Sequence, residues 1–237
     1  MKDLIRKSFT YKDSVCQIIS DKPEGISVAE ESIKSNHDLL DEYIALHPKF
    51  GWTLWPLPVP PAEPLVAKLM AQAAEKAYVG PMAAVAGVLA DLAVKDMLSC
   101  GCGVAVVEDG GEIFAVSDVP VDVAVAVGDE PLSRRFGFRL TEFPVGLATS
   151  SGRFSHALSF GDAEAVTVFC REAGLADAAA TAACNMVKGE DADAAIECGL
   201  EVAKDIEGVE GAMVIYKGKT GTWGKIPQII KVEPTAN

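Results

Sequence analysis

Gly103-Val104-Ala105-Val106-Val107-Glu108-Asp109-Gly110-Gly111-Glu112-Ile113-Phe114-Ala115-Val116 is the stretch on which the reading of the fold turns. Two apolar runs rich in β-formers, Val104 to Val107 and Ile113 to Val116, flank Asp109-Gly110-Gly111. Glycine adopts positive φ without steric cost, so this is the pattern of a tight antiparallel hairpin. On the N-terminal side the periodicity is mostly helical. Phe9 to Ser20 reads as one or two strands, and Ser27-x-x-Glu30 as a capping box opening a helix to about Ala45. His47 to Pro64 holds six prolines and two tryptophans, an ordered connector whose tryptophans are expected to lie over a core edge. A helix follows from Pro64 to about Ala77, Gly80-Pro81 breaks it, and a buried helix runs from Met82 to Leu98.

On the C-terminal side, Val121 to Val127 and Phe136 to Leu140 read as strands, and Gly146 to Gly161 as a glycine- and serine-rich connection. Ala165 to Cys170 is a strand, Ala176 to Val187 and Ala192 to Ile206 are helices, and Met213 to Tyr216 and Ile226 to Val232 close the chain as strands. Strands, then helices, then strands occur twice. That order predicts an α+β fold of two structural halves, antiparallel sheets packed against helices, in one domain over residues 1–237 with the boundary at roughly 128–146.

Composition narrows the function. The chain has 237 residues, 49% of them hydrophobic, and a formal net charge of -13. Nucleic acid and anionic membrane surfaces require lysine and arginine, so neither is an expected partner; a divalent cation is compatible with the charge. The N-terminus carries no signal-like apolar stretch, and the most apolar window, Val79 to Val94, is shorter than the about 20 residues of a membrane span. A cytoplasmic protein is the expectation, with a homo-oligomer open. Cys170 and Cys184 sit in apolar runs as small buried hydrophobes, and Cys100-Gly101-Cys102 lacks the spacing of a zinc ribbon.

Several segments could carry chemistry. Asp177, Thr181 and Asn185 recur every fourth residue in an alanine-rich helix and share one face. A carboxylate and a hydroxyl one turn apart suit a hard cation such as Mg²⁺; helix capping explains the same residues without a ligand. Thr149-Ser150-Ser151-Gly152 offers hydroxyls and amides to phosphate oxygens, with Arg153 as a cation and His156 as a general acid or base; a self-capped polar loop is the alternative. Gly80 to Gly87 is built of small residues that permit close approach, to a ligand or to another helix. The acids around Gly110 and Gly111 are accounted for by a solvated hairpin, a ligand-facing role being the lesser option.

Taken in order, Gly80-Pro81-Met82-Ala83-Ala84-Val85-Ala86-Gly87, Glu108-Asp109-Gly110-Gly111-Glu112-Ile113, Thr149-Ser150-Ser151-Gly152 with His156-Ala157-Leu158-Ser159-Phe160-Gly161, and Ala176-Asp177-Ala178-Ala179-Ala180-Thr181-Ala182 resemble a bacterial and archaeal family of the ApbE-like (FAD:protein FMN transferase-like) superfamily. The resemblance covers roughly residues 43 to 232. It implies tandem T-fold-like halves and a Mg²⁺-dependent protein that handles FAD, FMN or a nucleotide, with a target protein as a possible partner. It implies metal ligation by Asp177, Thr181 and the Ala83 carbonyl, and a catalytic role for His156. Cofactor contacts fall to Thr149, Ser150, Ser151, Gly152, Gly110, Gly111 and Asn185. The transferases of the superfamily carry a lysine where this chain has Ala83-Ala84-Val85, and Asp-Pro where His156 is followed by Ala157-Leu158. A binding protein without transferase activity, and a structural or partner-binding protein, are the alternative readings.

Overall fold

The computed structural model describes residues 4–125, 136–152 and 161–231. The chain opens with the hairpin β1 (Ile5–Tyr11) and β2 (Ser14–Ser20), then α1 (Pro23–Leu46), the short α2 (Pro48–Trp52) and α3 (Leu65–Ala77). A 3-10 turn, Pro81–Ala84, leads into α4 (Val85–Ser99), followed by the hairpin β3 (Val104–Asp109) and β4 (Glu112–Ser117). After β5 (Val121–Ala124) and β6 (Phe136–Leu140) the pattern repeats: β7 (Val145–Ser150), β8 (Ala165–Cys170), α5 (Ala173–Met186), α6 (Ala192–Asp205), β9 (Val209–Tyr216) and β10 (Lys219–Gly224). β11 (Gln228–Lys231) ends the described chain.

Eight strands form one antiparallel sheet in the order β1-β2-β3-β4-β7-β8-β9-β10. Each half contributes two strands, a helical segment and two strands, and the halves join where β4 pairs with β7, Ile113 opposite Leu147 and Ala115 opposite Val145. This is the α+β architecture of two sheet-and-helix halves expected from the sequence. A second antiparallel sheet, β11-β6-β5, sits apart from this repeat.

Strand alternation sends side chains to opposite faces, and the two faces of the large sheet bury different cores. Ala105, Val107 and Phe114 pack beneath α1 and α4, and Ala148, Val166 and Val168 beneath α5 and its helical neighbours. Val104, Val106, Ile113, Leu147 and Phe169 turn the other way, toward Val121, Phe138 and Leu140 of the small sheet. Covered on both faces, β8 is buried at every position, which is why it reads as a continuous apolar run.

Several local expectations are corrected. α1 begins at Pro23, not at Ser27; proline at the first helical position has no amide to satisfy, and Ser27 and Glu30 lie inside the helix. Trp52 and Trp55 are 68% and 64% exposed, and Phe50, fully buried, anchors the connector in their place. The start of the glycine- and serine-rich stretch is strand β7, and β10 is a further strand with no apolar alternation. Gly146 explains β7: a Cβ there would stand 2.3 Å from the Ala173 nitrogen, so the bare backbone lets α5 start directly on the strand. No single described helix is long and apolar enough to cross a membrane.

Candidate functional site

The site grows from the crossing of α4 and α5. Gly87 and Gly174 permit it: a Cβ on Gly87 would lie 2.3 Å from the Ala173 oxygen, and one on Gly174 would lie 2.5 Å from Val88. The first amides of a helix have no intrahelical partner, and neither α4 nor α5 has a capping side chain at its own N-cap. Each helix caps the other instead. Asp91 of α4 accepts from the Ala173 and Gly174 amides at 2.8 and 2.9 Å. Asp177 of α5 accepts from the Gly87 amide of α4 at 3.1 Å.

These carboxylates are held in poorly solvated ground. Burial pushes the Asp91 pKa up to about 7 despite its two amide donors. Burial likewise pushes Asp177 up to about 8; the Gly87 amide opposes the shift, and the charges of Asp109 and Asp91 add to it. Glu112, at the start of β4, lies well above the usual carboxylate range through burial first, then through the charges of Asp177 and Asp109. Asp109, its cross-strand partner, is buried and also raised, mainly by desolvation. Asp109 and Glu112 share the strand face that carries Val107 and Phe114, the face covered by helices. Asp177, Glu112 and Asp109 thus form one acidic group between the hairpin turn and α5. Asp177 and Glu112 are half-buried and keep some contact with solvent.

A buried polar chain leads away from this group. Ser14 Oγ donates to Asp109 Oδ2 at 2.7 Å and stands 2.7 Å from His37 Nε2. With the Ser14 proton committed to Asp109, His37 Nε2 is the donor to Ser14 Oγ.

The expected residues divide. Thr181 follows Asp177 by one turn and is buried on α5, and the 3-10 turn carrying Ala83 packs against the same helix. Ser150 ends β7 on the face of Ala148, toward α5; its buried Oγ has no hydrogen-bond partner among the described residues. Gly110 and Gly111 form the turn beside Glu112, with φ of 67° and 116°. Thr149 faces the opposite side of the sheet from Ser150, and its Oγ1 meets Thr167 Oγ1 at 2.9 Å. Consecutive strand residues cannot line one cradle. The Gly152 amide is given to the Ala163 carbonyl at 3.0 Å, and Ser151 Oγ reaches that same carbonyl at 3.4 Å. Asn185 lies two turns beyond Asp177 at the other end of α5, its amide beside Gly161. His156 and Arg153 fall outside the described residues.

Sequence reasoning misses Asp91, although a lone carboxylate in the apolar window of α4 is itself a signal of buried use. It also places Glu112 and Asp109 on a solvated turn, because nothing local says that α5 covers it. Two surface hollows among the described residues, one of about 300 Å³ between α6 and β10 and one of about 310 Å³ beside Leu4 and Arg139, are lined by none of these residues.

A family model described as AbpE bacteria matches residues 10–221. The chain belongs to this ApbE-like family. A UPF0280 protein of Methanopyrus kandleri is 42% identical over 218 residues, covering 91% of this chain and 88% of that one. A UPF0280 protein of Methanococcus aeolicus is 36% identical over 234 residues, 97% of this chain and 94% of the other. Among solved structures, the apo flavinyl transferase ApbE of Pseudomonas stutzeri superposes with a TM-score of 0.59 at 15% identity, over 94% of each chain. The ApbE protein of Thermotoga maritima gives 0.57 at 14%, covering 98% of this chain and 97% of its own. At such identities the structural likeness establishes the ApbE fold.

Among the described residues, no group of three or more His, Cys, Asp or Glu side chains is placed to hold a metal ion. The metal ligands expected from the sequence, Asp177, Thr181 and the Ala83 carbonyl, are all oxygen donors. The donor set of one carboxylate, one hydroxyl and one backbone carbonyl fits a hard cation. The electrostatics fit as well, since among the described residues Asp177 is a desolvated acid with no cationic side chain paired to it.

Proposed function

We propose that this ApbE-like protein binds a flavin or nucleotide carrying a pyrophosphate, with Mg²⁺ held by Asp177, Thr181 and the Ala83 carbonyl. The observation that carries the reading is the buried Asp177 carboxyl group, paired with no cationic side chain among the described residues, one helical turn from Thr181. The metal, when bound, neutralises phosphate charge. The chain's own groups do the rest. Gly87 fixes the Asp177 carboxylate through its amide, so the ligand oxygen is oriented before any cation arrives. Ser150 presents an unsatisfied hydroxyl for which a ligand oxygen is a natural partner. Glu112, pushed well above the usual carboxylate range by burial, is the local candidate for an acid. The flavin transferases of Vibrio cholerae and Pseudomonas stutzeri share the fold and motivate flavin as the ligand to test.

Ala83-Ala84-Val85 without lysine and His156 without a following Asp-Pro favour binding over FMN transfer to a target protein. Melting of the wild type and of Asp177→Asn with FAD, FMN and ATP, each with and without Mg²⁺, tests the site. Binding at a hundredfold excess over Kd stabilises by about 2.7 kcal/mol, and the Mg²⁺-dependent part should vanish in Asp177→Asn. No saturable stabilisation in the wild type, or equal Mg²⁺ dependence in the variant, refutes the assignment. Release of FMN or AMP from FAD distinguishes an enzyme from a binding protein.

A further inference from the structure

At the end of α4 distant from Gly87, the chain stops in a helix cap that carries two thiols. The Gly101 amide bonds the Leu98 carbonyl at 2.9 Å and the Cys102 amide the Met97 carbonyl at 3.2 Å. Gly101 has φ of 83°. This is a Schellman motif, with Cys100 as the C-cap and glycine in the left-handed position after it. The cap explains Cys102, which fills the buried apolar position that the motif places beside Met97. It does not explain why the C-cap residue is also a cysteine. The turn brings Cys100 Sγ to 3.7 Å from Cys102 Sγ, with Cys100 exposed and Cys102 buried. Space for Cys102 is kept open by Gly25, where a Cβ would stand 2.5 Å from the sulfur. The Lys22 ammonium lies over the turn, 3.2 Å from where a Cβ on Gly101 would be.

We propose that Cys100 and Cys102 are a redox dithiol that reacts with small-molecule disulfides, Cys100 attacking and Cys102 resolving. The Cys100 thiolate attacks one sulfur of the small disulfide, forming a mixed disulfide and expelling one thiolate. Cys102 loses its proton to solvent and attacks Cys100 Sγ, breaking the mixed bond and expelling the second thiolate. Two protein thiols are oxidised and one disulfide is reduced to two thiols. The exposed sulfur is the one a solute reaches, the buried sulfur is reached only by its neighbour, and the cap holds both on one side of the chain. Partial desolvation and the adjacent thiol raise the Cys100 pKa while Lys22 lowers it, so the first step accelerates as pH rises.

The test exposes native protein to oxidised glutathione at mildly alkaline pH, alkylates it under denaturing conditions and maps peptide masses. Cys198 is exposed with no thiol beside it among the described residues, and serves as the internal control. In the wild type the peptide containing Cys100 and Cys102 should be two hydrogens lighter and unalkylated, while Cys198 keeps its glutathione. Cys102→Ser should hold a stable glutathione adduct on Cys100. A wild type that retains glutathione on Cys100 as Cys102→Ser does, or a Cys100 left unmodified while Cys198 reacts, overturns the proposal.

Discussion

Ser150 and Asp91 isolate what single side chains contribute. A buried hydroxyl without a partner costs about 1–3 kcal/mol relative to one that is bonded, so Ser150→Ala should leave the melting temperature of the ligand-free protein unchanged or raised. The same substitution should weaken any ligand whose oxygen satisfies that hydroxyl. A lowered melting temperature without ligand would show that Ser150 is already bonded. Asp91 gives the pH dependence. Its pKa is raised from 3.8 to about 7, so across that interval the folded state holds a proton the unfolded state has released. Stability from this group is therefore full below the unfolded pKa and is lost as pH rises toward 7, at no more than about 1.4 kcal/mol per pH unit. Asp91→Asn removes that slope but leaves one capped amide without its acceptor, at a cost of about 0.5–2 kcal/mol. Urea unfolding at pH 5 and pH 8 should show the wild type losing more stability with pH than the variant; parallel losses would contradict a buried, proton-holding Asp91.

Elements show why part of the site is legible in the sequence and part is not. Asp177 and Thr181 are visible because i, i+4 spacing is a property of the helix itself. Ser150 is visible only as part of its hydroxyl-rich motif, and its burial, like that of Glu112, is not visible, because it depends on how α5 lies across β4 and β7, which no local pattern encodes. The strand identity of Val145–Ser150 is obscured by small and hydroxyl residues, chosen for contact with a helix and not for β-propensity. The same logic makes Gly87 a test of the helix crossing. In an isolated helix, replacing glycine by alanine gains about 1 kcal/mol. Here the new methyl would meet the Ala173 carbonyl at 2.3 Å, a backbone atom that can move only if α5 moves. Gly87→Ala should therefore destabilise by about 1–3 kcal/mol and weaken Asp177-dependent ligand binding along with it. Stability equal to or above that of the wild type in denaturant titration would mean that α4 and α5 do not cross closely.

For the molecule as a whole, the repeat of two strands, helices and two strands is readable from element order, but the unity of the two halves is not. Three features join them: the β4–β7 pairing that makes the sheet continuous, the apolar core in which Met70 of α3 and Leu89 of α4 pack with Ala176 and Ala179 of α5, and the reciprocal capping in which Asp91 of the first half serves α5 and Asp177 of the second serves α4. A helix start whose amides are satisfied only by the opposite half loses those bonds when that half unfolds. Unfolding of either half therefore exposes unsatisfied amides and the shared glycine contact in the other, and the two should unfold together. Tryptophan placement allows the comparison, since Trp52 and Trp55 report on the first half and Trp223, in β10, on the second. Denaturant midpoints read from Trp223→Phe and from the double variant Trp52→Phe with Trp55→Phe should coincide once each variant's own stability change, read from far-ultraviolet circular dichroism, is subtracted. Asp91→Ala combined with Asp177→Ala should lower both midpoints together, because the strand pairing and the apolar core shared by α3, α4 and α5 still link the halves. Separate midpoints with both carboxylates intact would show that the continuous sheet does not make one cooperative unit.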